Sequence, residues 1–203
     1  MESENREKSL IGITMGDPGG IGPEVILKAL TSPEIRAAAN YVVIGSEKVL
    51  SNISDRALTD NISVLDLDNF TVNNATIHKP LPESGKASVE YILKGLDLTL
   101  NGKIDALVTA PISKEAIKLA GFDYAGHTEL LKEKTAVENV VMFMIGKGLR
   151  VAFVTTHLAV NEIAGSINQE NVFSTIQITA TGLKTFFGID QPKIAVCGLN
   201  PHC

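Results

Sequence analysis

Histidines are the side chains of this sequence best placed to do chemistry. Three of the four, His127, His157 and His202, stand at a helix mouth or at the end of a strand-like run. Imidazole titrates near neutral pH and is the commonest ligand of a zinc-like ion. Ligands gathered from separate strand ends are one way to build a catalytic centre, so the three are candidates for a shared site. No local His-Glu-x-x-His supports that grouping, and each histidine taken singly reads first as a satisfied polar residue. The fourth, His78, lies in an irregular polar segment and reads as solvated and inert. His127 belongs to Gly126-His127-Thr128-Glu129 at the start of a helix, where open α/β folds place ligand groups. Upstream, Ser113 and Lys114 begin another helix and could bind a phosphate or move a proton. Lys114 reads more simply as a solvated helix residue. Cys203 is either a soft ligand beside His202 or incidental, and Met142 and Met144 read as core filler.

The elements that must position these residues follow from periodicity. Ile104 to Ala110 is a short apolar run ending in Thr-Ala-Pro, read as a buried strand delivering its carboxyl end to a turn. A helix from about Ser113 to Leu119 stops at Gly121, which suits a left-handed terminus. Earlier, Ile11 to Met15 is a strand followed by Gly16-Asp17-Pro18-Gly19-Gly20-Ile21-Gly22-Pro23-Glu24. There Gly22 is read as the cap and Pro23 as the first helical residue, with the helix running to about Leu30. The loop matches neither the dinucleotide fingerprint nor the P-loop, and serves equally as a ligand-approach loop or a tight turn. Pro33 opens a turn. Tyr41 to Gly45 and Ile62 to Leu67 are strands, with Ser46 capping a short helix between them. Thr71 to Ser84 is irregular. From Lys86 to Leu100, Val89, Ile92, Leu93, Leu96 and Leu100 step by three and four, which predicts an amphipathic helix. Strand alternating with helix predicts a parallel, doubly wound α/β sheet.

After residue 139 the texture changes. Asn139 to Ile145 and Arg150 to Thr156 predict an antiparallel hairpin about Gly146-Lys147-Gly148-Leu149. Ala159 to Ala164 predicts a short helical turn, and Gln169 to Phe187 a longer helix broken by Gly188. Lys193 to Gly198 is read as a last buried strand leading into Leu199-Asn200-Pro201-His202-Cys203. A buried strand followed at once by the chain end reads as the front part of a longer protein.

Composition excludes several classes. The chain has 203 residues, 44% hydrophobic and 20% charged, with a net charge of −5 and no Lys/Arg cluster. Nucleic acid and anionic membrane surfaces are therefore not expected partners. No apolar run approaches the ~18 residues of a membrane span, and the polar start, Met1 to Ser9, lacks a signal-peptide core. With only Cys197 and Cys203 there is no disulfide framework. These features predict a cytoplasmic protein in a reducing compartment.

Five segments, in order, resemble one family: Gly16 to Glu24, Thr109-Ala110-Pro111, Gly126 to Glu129, Thr155-Thr156-His157 and Gly198 to His202. The chain resembles 4-hydroxythreonine-4-phosphate dehydrogenases of pyridoxal phosphate biosynthesis, from about residue 10 to the end. The resemblance covers only the front part of such a protein. It implies an isocitrate/isopropylmalate dehydrogenase-like α/β fold, two domains with an interdomain cleft, here truncated at the C-terminus. Residues 10–125 would be the first α/β domain, and 126–203 the start of a second, dimer-forming one. It further implies a homodimer with a shared active site, NAD or NADP, and a divalent metal, zinc in the first place with magnesium or cobalt also used. His127 and Thr128 match substrate-binding positions, and His157 and His202 match two of three metal ligands. The third ligand histidine, in a Tyr-His-Asp-Gln segment, lies beyond Cys203, as do substrate-binding lysine, asparagine and arginine residues. The implied reaction is oxidation of 4-phosphohydroxythreonine at C3 followed by decarboxylation to 3-amino-2-oxopropyl phosphate. A related enzyme acting on 4-phosphothreonate or phosphoerythronate, or a non-catalytic fragment, are the alternatives. The resemblance assigns no proton-transferring base among these residues, and Lys114 is a candidate for it.

Overall fold

The computed structural model describes residues 8–54, 61–71 and 79–201. His78, His202 and Cys203 lie outside them. The chain divides into two compact units, Met1–Leu130 and Leu131–Cys203.

The first unit runs β1 (Leu10–Thr14), α1 (Gly22–Ala29), α2 (Pro33–Ala38), β2 (Asn40–Gly45), α3 (Glu47–Ile53), β3 (Ile62–Asp66), α4 (Pro82–Leu100), β4 (Ala106–Thr109), α5 (Lys114–Leu119) and the opening turn of α6 (His127–Thr135). The strands form one sheet in the order β3-β2-β1-β4, with every pairing parallel. Two strands, β2 and β3, step outward from β1 in one direction and β4 returns to its other side. Right-handed crossovers then assign α1, α2 and α3 to one face and α4 to the other, which is a doubly wound arrangement. Ile13, Val43 and Ile44 from the central strands meet Ile26, Leu30, Val49, Leu50, Ala87 and Tyr91 in the core.

Several boundaries differ from expectation for local reasons. Gly22 is the first helical residue of α1 and Ile21 its cap, so Pro23 sits one position deeper. Pro33 begins a helix rather than a bare turn, because its fixed φ suits a first helical position. The same preference starts α4 at Pro82, four residues before the helix expected from Lys86. Ser46 precedes α3 without a side-chain cap bond, and its buried Oγ finds no partner. The Thr-Ala-Pro strand is not a buried one. β4 pairs only with β1 among the described residues, and Val108 is 50% exposed, as an edge strand allows.

The second unit contains an antiparallel hairpin of β5 (Met142–Gly146) and β6 (Leu149–Phe153), then α7 (Val160–Ser166) and α8 (Gln169–Phe187). The turn is Lys147-Gly148, with Gly148 at φ 84°. Asn168 caps α8 by accepting from the Asn171 amide at 2.9 Å. Phe187 joins α8 to the hairpin, edge-on to Phe143 at 6.0 Å and beneath the Arg150 guanidinium at 5.1 Å. Met144 is exposed on the hairpin, so of the two methionines only half-buried Met142 has any packing role. Lys193 to Gly198 is not a strand. A strand exists only through a ladder with a neighbour, and none of the described residues pairs with it. Among the described residues no helix is long and apolar enough to cross a membrane.

Candidate functional site

The glycine-rich loop after β1 is tied to the segment after β4. Gly16 adopts φ 74°, a left-handed conformation natural to glycine. The turn brings the Asp17 amide to the Pro111 carbonyl at 2.9 Å, while the Ala110 amide donates to Thr14 O at 3.0 Å. A Cβ on Gly16 would collide with the Pro111 carbonyl and lie 2.8 Å from that of Ala110. Asp17 is buried, and its Oδ1 accepts from the Gly19 amide at 2.8 Å, closing the loop on itself. The two strand ends at the reversal of strand order are therefore joined by their own backbone.

From Pro111 the chain enters α5, where Ser113 is the cap: its Oγ accepts from the Ala116 amide at 3.2 Å. That oxygen serves the helix, and Lys114 beside it is exposed. The helix ends with Gly121 at φ 86°, the Gly121 amide on Lys118 O and the Phe122 amide on Ile117 O at 3.1 Å. This paired closure turns the chain back toward the sheet. Phe122 and Tyr124 stack at 6.5 Å between the two helices, and α6 then opens on His127 and Thr128.

His127 returns to the end of β4 and hydrogen-bonds the Ala110 backbone carbonyl. Its Nε2 is buried and has no hydrogen-bond partner. Burial pushes the imidazole below its ordinary value, and the Ala110 carbonyl opposes that shift without cancelling it. Standing in the first turn of α6, the ring also meets the positive end of the helix dipole, which disfavours a second positive charge. A neutral imidazole with a bare, enclosed Nε2 is a group able to take a ligand atom. Thr128 beside it is half-buried.

His157 lies in the second unit, exposed and in the left-handed region at φ 59°, a conformation uncommon for a side chain of this size. His127 belongs to the first unit, and His202 lies outside the described residues. Among them no group of three or more His, Cys, Asp or Glu side chains could hold a metal ion. An exposed imidazole is a suitable single ligand, but one ligand does not make a centre. The sequence reading missed the Ala110 carbonyl and the role of Gly16. A glycine immediately after a strand, facing a second strand end that closes in Ala-Pro, is the signal that could have found them.

A parallel, doubly wound α/β unit with a ligand-seeking histidine at its strand ends is the build of a small-molecule-binding α/β protein. The comparisons with known proteins narrow this to one family. The model of "Pyridoxal phosphate biosynthetic protein PdxA" matches residues 25–203, and the chain belongs to that family. A 4-hydroxythreonine-4-phosphate dehydrogenase of Desulforapulum autotrophicum is 40% identical, over 96% of this chain and 62% of its own length. An Oceanobacillus iheyensis protein with the provisional name D-threonate 4-phosphate dehydrogenase is 37% identical, over 97% of this chain and 64% of its own. The crystal structure of a 4-hydroxythreonine-4-phosphate dehydrogenase from Burkholderia phymatum superposes with a TM-score of 0.83 at 33% identity, over 97% of this chain and 64% of that one. The chain thus spans less than two thirds of the length of these relatives.

Proposed function

We propose that the chain carries the substrate-binding front of a nicotinamide-dependent 4-hydroxythreonine-4-phosphate dehydrogenase working in cytoplasmic pyridoxal phosphate biosynthesis. The observation that carries this reading is His127, with its bare, buried Nε2 at the mouth of α6, in a chain of this family. The net reaction takes the proton from the C3 hydroxyl oxygen and the hydride from C3 itself, and the hydride passes to NAD or NADP. The resulting β-keto acid breaks its C1–C2 bond, releases carbon dioxide, and takes up a proton at C2 to give 3-amino-2-oxopropyl phosphate. His127 and Thr128 bind and orient the substrate, and their enclosed position strengthens each hydrogen bond. Lys114 is the candidate for moving the C3 proton.

In this reading His157 and His202 belong to a three-ligand set for a divalent ion, zinc before magnesium or cobalt. Such an ion supplies Lewis acidity toward a hydroxyl oxygen. The fold is read as isocitrate/isopropylmalate dehydrogenase-like, with residues 10–125 as one domain, 126–203 as the start of the dimer-forming one, and the active site shared across a homodimer. The family resemblance supports these statements.

A second reading is favoured by the Oceanobacillus iheyensis relative: the same chemistry on D-threonate 4-phosphate. Initial rates of nicotinamide reduction by the native protein on both phosphates separate the two. A kcat/KM higher for 4-phosphohydroxythreonine supports the first reading, and the reverse order supports the second. Turnover of neither overturns both.

A further inference from the structure

The turn between α4 and β4 carries a reactive pair that the dehydrogenase reading does not use. Asn101-Gly102 is the only Asn-Gly pair in the sequence, and both residues are exposed. We propose that it is a covalent modification site, where Asn101 deamidates to aspartate and isoaspartate, and that the cap of α4 keeps it latched until the last turn of the helix opens.

The chemistry needs two atoms to meet. The Gly102 amide nitrogen attacks Cγ of Asn101 and loses its proton to water, the Cγ–Nδ2 bond breaks, ammonia leaves, and a cyclic succinimide remains. Water opens that ring at either carbonyl, so the net change converts an amide and water into an acid and ammonia. Glycine has no Cβ to shield the attacking nitrogen.

In the folded chain both partners are held elsewhere. Gly102, left-handed at φ 62°, donates its amide to Thr99 O at 3.0 Å, and the Lys103 amide donates to Leu98 O at 2.8 Å. These two bonds form the Schellman closure of a helix end. The Asn101 carboxamide turns back over α4, where its Nδ2 donates to Asp97 O and to Asp97 Oδ1, each at 2.9 Å. Asp97 is itself held by Lys94, whose Nζ lies 3.2 Å from Oδ2. The nucleophile therefore points into the helix end, and the carbon it must reach is drawn toward the preceding turn. Cyclisation requires these bonds to break, and helix ends open locally at far lower free energy than the whole fold. The product is costly to the crossover. A carboxylate at residue 101 stands at the negative end of the α4 dipole and beside Asp97, which repels it. Isoaspartate also lengthens the main chain just before β4, whose entry is fixed by the Asp105 amide on Leu10 O at 2.8 Å and the Leu10 amide on Asp105 Oδ2 at 2.7 Å.

Peptide mapping by mass spectrometry tests this on the native protein, warmed at neutral pH with and without denaturing urea. The expected result is slow conversion of Asn101 in the folded protein and fast conversion in urea. Asp97→Ala should raise the folded-state rate about threefold, the effect of one exposed hydrogen bond lost, and leave the rate in urea unchanged. An Asn101 that stays intact in urea overturns the site. Folded wild type converting as fast as unfolded chain, a comparison that needs no variant, overturns the latch. So does a folded Asp97→Ala protein converting at the wild-type rate. The aged protein, separated from the unmodified one by ion exchange, should unfold at a lower urea midpoint, and equal midpoints overturn the cost to the crossover.

Discussion

His127 combines a partner that is easy to overlook with a charge state that is easy to test. Its folded-state pKa lies below the ordinary 6.5 because burial outweighs the Ala110 hydrogen bond. The unfolded chain therefore takes up the proton first on acidification. The stability that neutral His127 contributes is fully present above about pH 6.5 and is lost as pH falls through the lower folded value. Urea unfolding across that range should show a steeper acid decline for wild type than for His127→Gln, and parallel curves would contradict the shift. The same residue should matter for substrate. His127→Ala in the native protein should lower kcat/KM by roughly 10- to 100-fold, the loss of one or two enclosed hydrogen bonds, with bound metal near the wild-type level. Metal analysis and steady-state kinetics on the same preparation check both parts. His127 and Thr128 were legible in the sequence because a polar triplet before an apolar helical repeat marks a helix mouth. Ala110 was not, since it acts through a backbone carbonyl that alanine shares with every other residue.

At the scale of elements, α4 and α5 show what periodicity reveals and what it hides. The apolar stripe from Val89 to Leu100 predicted α4, and Gly121 predicted the end of α5 with its left-handed φ. What could not be read was how closely the two helices approach. Gly85 packs so tightly on α5 that a Cβ there would overlap the Ala116 carbonyl and lie 2.7 Å from the Ile117 amide. Gly85→Val should force α5 off α4 and cost about 1–3 kcal/mol, seen as a lower urea midpoint with little change in slope. A midpoint equal to wild type would show that the contact relaxes freely. The hairpin and α8 were legible from turn glycines and spacing. Asn168→Ala should remove the cap of α8 at a cost of about 1 kcal/mol by the same measurement. Residues 193–198 failed as a strand because an apolar run fixes hydrophobicity but not a pairing partner. β4 failed as a buried strand for a related reason: burial depends on neighbours that a single segment does not contain.

Over the whole molecule, the alternation of strand and helix foretold the parallel sheet of the first unit and its doubly wound order. His127 belongs to the first compact unit and His157 to the second, while His202 lies outside the described residues. The family match extends across both units, from residue 25 to 203, and joins them in one functional reading. That reading divides the histidines into substrate and metal groups. In the native protein His157→Ala should lose bound metal together with turnover, and His127→Ala should lose turnover alone. The most direct test of the central claim is the initial rate of nicotinamide reduction by the native protein with 4-phosphohydroxythreonine as substrate, measured for wild type and His127→Ala side by side. The account predicts saturable turnover in the wild type and a kcat/KM at least tenfold lower in the variant, consistent with the loss of an enclosed hydrogen bond. Turnover that His127→Ala leaves unchanged, or none in the metal-replete wild type, would contradict it.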